Sequence, residues 1–322
     1  MIYTKEQKIQ FFNMSLEDKV KRTKQLILEW YLQFDGKVYV SFSGGKDSTV
    51  LLHIARSIKG LENIVGVFDD TGLEYPEIRD FVKKQDNITW IKPKMNFKQV
   101  IEKYGFPVIS KEQSLYIYQL RNTKSDKLKK LRLEGGRKGA FKVAEKWKPL
   151  INADFNIANQ CCDVMKKKPF KVFEKQTGLH PIIATMASES RLRLRRYFQG
   201  DCNEYSATHP VSKPMSFWNE QDVLQYIKMH NLEIASVYGD VIEENGKLTT
   251  TGCSRTGCMF CMFGLHLEQR PNRFDLMKDT HPKQYDYIMN KLNGRHIMNE
   301  YLKCDNKCAE PTLFDTLQGE NK

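Results

Sequence analysis

An apolar, β-branched segment, Val38-Tyr39-Val40, runs through Ser41 and Phe42 into Ser43-Gly44-Gly45-Lys46-Asp47-Ser48, and an apolar helical pattern follows at once at Val50, Leu51, Leu52, Ile54 and Ala55. The expected order is a buried strand, a tight glycine turn and a helix N-terminus. Such a turn aims backbone N–H groups and the positive end of a helix dipole at one point, which suits a phosphate. Two adjacent glycines let the main chain approach an anion closely, Lys46 adds a point charge, and Ser43 and Ser48 add hydroxyl donors. The spacing is not Gly-x-x-x-x-Gly-Lys-Ser/Thr, which argues against a Walker-type kinase or GTPase. A turn of the same shape with no ligand is the alternative.

The flanking segments place this turn in a larger pattern. Ser15 to Leu32 has helical periodicity, with Ser15, Glu17 and Asp18 as N-terminal signals. Strand Lys37–Phe42 and helix Ser48–Ile58 are followed by a second strand at Ile64–Phe68, which ends at Asp69-Asp70-Thr71-Gly72. Helix Tyr75–Lys84, strand Thr89–Ile91 and a later strand at Leu179–Ala184 continue the alternation. Strands alternating with helices predict a parallel α/β sheet, with ligands at the carboxyl ends of the strands. Pro214–His230 predicts a helix capped by Asn219 and Asp222, and Phe274–Leu292 predicts a continuous helix. Ser110–Lys148 breaks the rhythm and is expected to be a helical insertion with a mobile loop over the site. The predicted division is 1–110 for the nucleotide-binding half, 111–150 for the insertion, 151–245 for the second half, and 246–322 for a cysteine-rich helical segment.

Charge and cysteine content narrow the partners. The net charge of the 322 residues is +12, and between Arg121 and Lys148 there are 11 Lys/Arg against 3 Asp/Glu. Arg191, Arg193, Arg195 and Arg196 form a second basic cluster. Clustered basic charge favours a polyanion such as nucleic acid, and a solvated face or a pocket for one nucleotide would look the same. No apolar run has the length of a membrane span and the N-terminus is unlike a signal peptide, so the expectation is a cytoplasmic chain without a membrane partner. Its eight cysteines point to metal or redox chemistry rather than disulfides. Cys258-Met259-Phe260-Cys261, with Cys253 upstream, is compatible with zinc, an iron–sulfur cluster or a dithiol pair. His53, Phe217 and Trp218 are expected to pack, although the two aromatic residues could instead stack a base.

The turn resembles the pyrophosphate (PP) loop of the ATP-pyrophosphatases, the adenine nucleotide alpha hydrolase-like superfamily. Further anchors extend the likeness to the phosphoadenosine phosphosulfate reductase family. They are Asp70-Thr71-Gly72 at a strand end, Cys161-Cys162 with its basic run, Glu189-Ser190-Arg191, and Trp218 to Val223 as Trp-x-x-x-Asp-Val. The match spans about Val38 to Cys261. It departs from the sulfonucleotide reductases in its intact loop, in Met186 where an arginine is usual, and in the lack of a Cys-Gly-Leu-His tail. Gly264-Leu265-His266 follows Phe263 instead, and the tail holds Cys304 and Cys308. An intact loop together with these cysteines is similar to the sulfur-inserting relatives of tRNA thiolation and DNA phosphorothioation.

The resemblance implies an ATP- and Mg²⁺-dependent sulfurtransferase that adenylates an acceptor, with tRNA or DNA as partner and a sulfur donor such as a cysteine desulfurase. It assigns ATP to Ser41, Ser43, Gly44, Gly45, Lys46, Asp47, Ser48, Asp70 and Arg191, with Arg195 as a further phosphate grip. Catalysis falls to Lys46, Asp47 and Cys161, and Mg²⁺ to Asp47 and Asp70; Asp47 could equally cap the helix. A [4Fe–4S] cluster is assigned to Cys162, Cys253, Cys258 and Cys261, with Cys161 or Cys202 as substitutes for Cys253. A sulfonucleotide reductase, a sulfate adenylyltransferase-like enzyme and a non-catalytic nucleotide-binding protein are the alternatives. Oligomeric state is not legible.

Overall fold

The computed structural model describes residues 3–206 and 208–305. Its elements begin α1 (Lys5–Phe12), α2 (Leu16–Gln33), β1 (Val38–Ser41), α3 (Lys46–Arg56), β2 (Gly66–Asp69), α4 (Pro76–Lys83) and β3 (Ile88–Ile91). There follow α5 (Phe97–Lys103), β4 (Val108–Ile109), α6 (Lys111–Asn122), α7 (Asp126–Glu134), α8 (Lys168–Thr177), β5 (His180–Ile182) and α9 (Arg191–Gln199). The remainder is β6 (Asn203–Glu204), β7 (Val211–Ser212), α10 (Glu220–Met229), β8 (Val241–Glu244), β9 (Lys247–Thr250), β10 (Met262–Phe263), α11 (Arg273–Thr280), α12 (Pro282–Asp286) and α13 (Gly294–Lys303). No helix among the described residues is long and apolar enough to cross a membrane.

Two compact units result. The first comprises residues up to Pro93 together with Lys168–Met259. Its sheet has the order β3-β2-β1-β5-β7-β6, parallel throughout except for β6 against β7. The chain winds outward from β1 through β2 to β3, then returns to place β5 on the other flank of β1, with Val38 opposite His180 and Val40 opposite Gly66. That reversal makes β1 and β5 the switch point of a doubly wound sheet, and ligands of such sheets sit outside the strand carboxyl ends there. The glycine turn leaves β1 at that end. Val50, Leu51, Ile54 and Ala55 are fully buried, so α3 lies deep in the core; Leu26, Ile27 and Trp30 pack α2 into the same cluster. The expected parallel α/β fold is therefore what forms.

Several boundaries differ from the sequence expectation for physical reasons. Helix α3 starts at Lys46, two residues early, because Gly45 is extended (φ −77°) and serves as its N-cap. The segment from Pro214 is helical only from Glu220; Met215, Phe217 and Trp218 are buried in the core ahead of the Asn219 cap. Packing rather than base stacking accounts for Phe217 and Trp218. His53 also packs, with Nδ1 2.8 Å from the Tyr226 hydroxyl.

The second unit holds Lys94–Lys167 and the chain from Phe260 onward. A short parallel pair joins β4 to β10, with Val108 opposite Met262. The continuous helix expected over Phe274–Leu292 breaks into α11, α12 and a π-turn at Tyr287–Lys291. Pro282 is the cause, since it lacks an N–H and drives His281 out of the helical region (φ −137°, ψ 61°). The basic insertion is built from α6 and α7 followed by short 3₁₀ turns.

One buried ion pair in the first unit should dominate its polar stability. Lys19 Nζ lies 2.7 Å from Asp222 Oδ2, with the lysine side chain only 2% exposed. The same carboxylate oxygen accepts the Asn219 backbone N–H at 2.7 Å and so closes the capping box of α10. Asp222→Ala strands a buried ammonium and removes half of that box. A loss of roughly 3–5 kcal/mol in urea unfolding is expected, with Asp222→Asn, which keeps an acceptor at the cap, losing less.

Candidate functional site

The turn after β1 is shaped by one glycine and locked by two serines. Gly44 has φ +70°, and a Cβ there would lie 2.7 Å from Val82 Cγ2 and 2.8 Å from Ile78 Cγ2 of α4. Glycine alone fits both the backbone and the space. The Ser43 N–H donates to Ser48 Oγ at 3.1 Å, and the two hydroxyls are 3.0 Å apart. The Gly45 N–H donates to Ser43 Oγ at 3.3 Å, while the Ser48 hydroxyl donates to the Gly45 carbonyl at 2.9 Å. Ser41 closes β1, opposite Val67.

Lys46 lies inside this turn rather than in solvent. Its side chain is 5% exposed, with Nζ 3.0 Å from Glu220 Oε1 and 2.6 Å from the Ser254 carbonyl, and it stands over the Tyr238 ring. The Tyr238 hydroxyl accepts the Lys46 backbone N–H at 3.3 Å and is 2.5 Å from Thr256 Oγ1. Asp47 makes no capping hydrogen bond, so it is not the helix cap. Its Oδ1 is buried without a hydrogen-bond partner. Burial pushes the Asp47 carboxyl up; Lys46, Arg255 and Arg193 oppose that shift, and Glu220 adds to it. Asp70, buried at the end of β2, is gripped by Arg79 through Oδ2 at 2.9 Å, while its Oδ1 is buried without a hydrogen-bond partner. The Thr71 hydroxyl donates to Glu74 Oε1 at 2.6 Å and fixes the turn beyond.

The arginines are not those the sequence singled out. Arg191 and Arg195 are exposed on α9. It is Arg193 and Arg255 whose charges act on Asp47, and Glu189 holds both, with Arg255 Nη2 2.5 Å from Oε1 and Arg193 on the other oxygen. Arg193 belonged to a cluster visible in the sequence. Arg255 was hidden between Cys253 and Cys258, and Tyr238 and Glu220 gave no local signal.

The cysteines divide between the units. Cys253 and Cys258 belong to the first unit; Cys161, Cys162 and Cys261 belong to the second. Burial raises the Cys253 thiol, with Glu77 adding to the shift. Burial also raises that of Cys261, to which Cys162 adds, while Arg273 and Lys166 counter it. Cys161 is buried. Cys202 is a core residue whose thiol burial pushes up to about 11. Cys304 lies within 3.5 Å of the Glu300 carbonyl, and Cys308 lies outside the described residues. Among the described residues no group of three or more His, Cys, Asp or Glu could hold a metal.

Two of the insertion's basic residues are structural. Arg121 donates to the carbonyls of Leu150, Ile151, Ala153 and Phe155 at 2.6–2.9 Å. Arg132 donates to Gln119 and to the Phe141 carbonyl and covers the Tyr116 ring.

The model of the phosphoadenosine phosphosulfate reductase domain matches residues 37–262, more than two thirds of the chain. An uncharacterized protein, MJ0973, from Methanocaldococcus jannaschii is 36% identical over 100 residues, 29% of this chain and 24% of that protein. The chain thus spans about a quarter of the length of the curated relative it matches. Among solved structures, the phosphoadenylyl-sulfate reductase of Candida auris in a phosphate complex is 14% identical, with TM-score 0.38, over 77% of this chain and 98% of that one. The Candida glabrata FMN adenylyltransferase in complex with ATP is 11% identical, with TM-score 0.41, over 74% of this chain and 67% of that one.

Proposed function

This chain belongs to the phosphoadenosine phosphosulfate reductase domain family, and on that premise we propose that it is an ATP-dependent sulfurtransferase that adenylates an acceptor, a nucleic acid, before sulfur replaces AMP. The observation carrying this proposal is the intact turn with a buried lysine at its centre: Gly44 in the left-handed region, Lys46 5% exposed, and Asp47 beside it with an unpartnered carboxylate oxygen. The first-turn amides of a helix have no intrahelical acceptor; in α3 the Lys46 amide donates to the Tyr238 hydroxyl, which leaves those of Asp47 and Ser48 for phosphate oxygens.

Attack of the acceptor oxygen on the α-phosphorus expels pyrophosphate, and negative charge grows on the leaving group. Lys46 is placed to meet that charge by exchanging the Ser254 carbonyl and Glu220 for phosphate oxygens. Arg193 and Arg255 offer planar donors on the Asp47 side of the turn. Asp47 and Asp70, each with one carboxylate oxygen lacking a hydrogen-bond partner, would hold Mg²⁺, which when bound offsets phosphate charge. A sulfur nucleophile then displaces AMP. Cys161 is the proposed carrier: its persulfide, formed from a donor such as a cysteine desulfurase, attacks through the outer sulfur and expels AMP, and an external thiol reductant then cleaves the remaining S–S bond.

The test is incorporation of labelled pyrophosphate into ATP by the purified protein with Mg²⁺. Exchange that is stimulated by tRNA or by DNA identifies the acceptor class. No exchange, together with sulfite release from phosphoadenosine phosphosulfate, would return the chain to the reductases. Iron and sulfide analysis of anaerobically purified protein tests the cluster separately.

A further inference from the structure

The turn after α7 adopts a conformation that its residues do not favour. Gly135 (φ +91°) and Gly139 (φ +72°) tolerate the left-handed region, but Lys138 (φ +58°) and Phe141 (φ +68°) occupy it as well. For a bulky side chain that placement costs free energy, and it persists only where the surroundings over-determine it. They do so here. The Gly136 N–H donates to the Ala140 carbonyl at 2.7 Å, the Gly139 N–H to the Gly136 carbonyl at 2.9 Å, and the Val143 N–H to the Arg132 carbonyl at 2.8 Å. Arg132 Nη1 donates to the Phe141 carbonyl at 2.7 Å. The buried arginine thus holds Phe141 by its backbone, leaving its side chain 58% exposed.

An exposed phenylalanine on a strained, hydrogen-bonded turn gains nothing from the fold that displays it. Its neighbours in sequence indicate what would cover it. Between Lys124 and Lys142 there are eight Lys/Arg against two Asp/Glu, and Arg137 and Lys138 are exposed on the turn itself. In the same stretch the exposed large hydrophobic residues are Leu133 and Phe141 alone, too little apolar surface for a protein partner. An isolated ring among cations matches the stacking platform and electrostatic track that single strands require, whereas a duplex keeps its bases stacked and offers no free face.

We propose that this turn is a stacking finger for an unpaired base of a single-stranded nucleic acid, with Phe141 under the base and Arg137 and Lys138 on the flanking phosphates. The proposal rests on the nucleic-acid acceptor argued above. It is tested with fluorescein-labelled oligo-dT, oligo-U and a duplex of equal length, by anisotropy over a series of salt concentrations. Phe141→Gly should weaken single-strand binding roughly tenfold, the size of one lost base stack, without changing the salt slope. Its melting temperature should stay level or rise, because glycine relieves the backbone, and this separates lost stacking from unfolding. Phe141→Trp should retain affinity and show quenched tryptophan emission on binding. Arg137→Ala and Lys138→Ala should each lower the salt slope by about 0.7. A preference for oligo-U or oligo-dT distinguishes RNA from DNA. Phe141→Gly binding like the unaltered chain overturns the finger while leaving the acceptor class intact. If the unaltered chain binds the duplex but neither single strand, the finger fails and the nucleic-acid acceptor stands; if it binds none of the three probes, both fail.

Discussion

Lys46→Ala should lower ATP–pyrophosphate exchange by roughly 10²–10³-fold, the usual cost of removing one preorganised donor from a developing negative charge. The ammonium is held ready inside the turn by Glu220 and the Ser254 carbonyl, so little reorganisation stands between the resting and reacting arrangements. Because charge builds on pyrophosphate only as the bond breaks, the loss should fall more on kcat than on the KM for ATP. The fold should tolerate the change. Glu220 is 49% exposed and returns to water when its partner is removed, so stability should move by no more than about 1 kcal/mol. Lys46→Arg is an informative companion, since a planar guanidinium cannot replace a compact ammonium between those two oxygens. Exchange by Lys46→Ala at the unaltered rate would show that this loop does not carry the chemistry.

Much of this arrangement was legible in the chain because local physics dictates it. Val38 to Val40 and Gly66 to Phe68 are buried strands with no polar interruption, and Gly44-Gly45 marks the one place where the backbone must turn sharply before a helix. Asn219 and Asp222 announced their capping box, and the structure forms it. Other signals were present and went unused. Asn245-Gly246 marks the β8–β9 hairpin, with φ +52° and +72°, but its strands lack an apolar face and so show no alternation. Pro282 likewise stands inside an apparently continuous helical pattern. What no local pattern encodes is convergence from distant segments. Glu189 gathers Arg193 from the helix that follows it and Arg255 from 66 residues away, and Tyr238 reaches Lys46 across 192. Arg121 and Lys124 look alike in sequence, yet the first is caged by four carbonyls while the second lies in solvent. Composition counts charges without saying which ones the fold consumes.

Gly44→Ala should disrupt the turn after β1 by adding a single methyl. Two independent costs meet there. An L-residue at φ +70° loses roughly 1–2 kcal/mol to its own backbone, and a Cβ at 2.7–2.8 Å from Val82 and Ile78 overpacks a closed interface for about 1–3 kcal/mol more. Both neighbours are β-branched residues of α4 whose rotamers cannot swing aside, so the strain should be relieved by the turn moving away. That motion would pull the Ser43 and Gly45 amides out of register with the start of α3. Urea unfolding should therefore show a loss of roughly 2–4 kcal/mol, and exchange should fall even where the protein remains folded. Adding Val82→Ala separates the two costs: it opens space for the methyl and should recover part of the packing loss, while leaving the backbone penalty and the displaced turn. Gly45→Ala is the control, because φ −77° is ordinary and its Cβ would meet Ser43 Oγ and the Tyr238 hydroxyl at 3.2 Å and Thr256 Oγ1 at 3.8 Å, with no neighbour under 3.0 Å. If Gly45→Ala proves as damaging to stability as Gly44→Ala, the left-handed turn against α4 is not what shapes this loop.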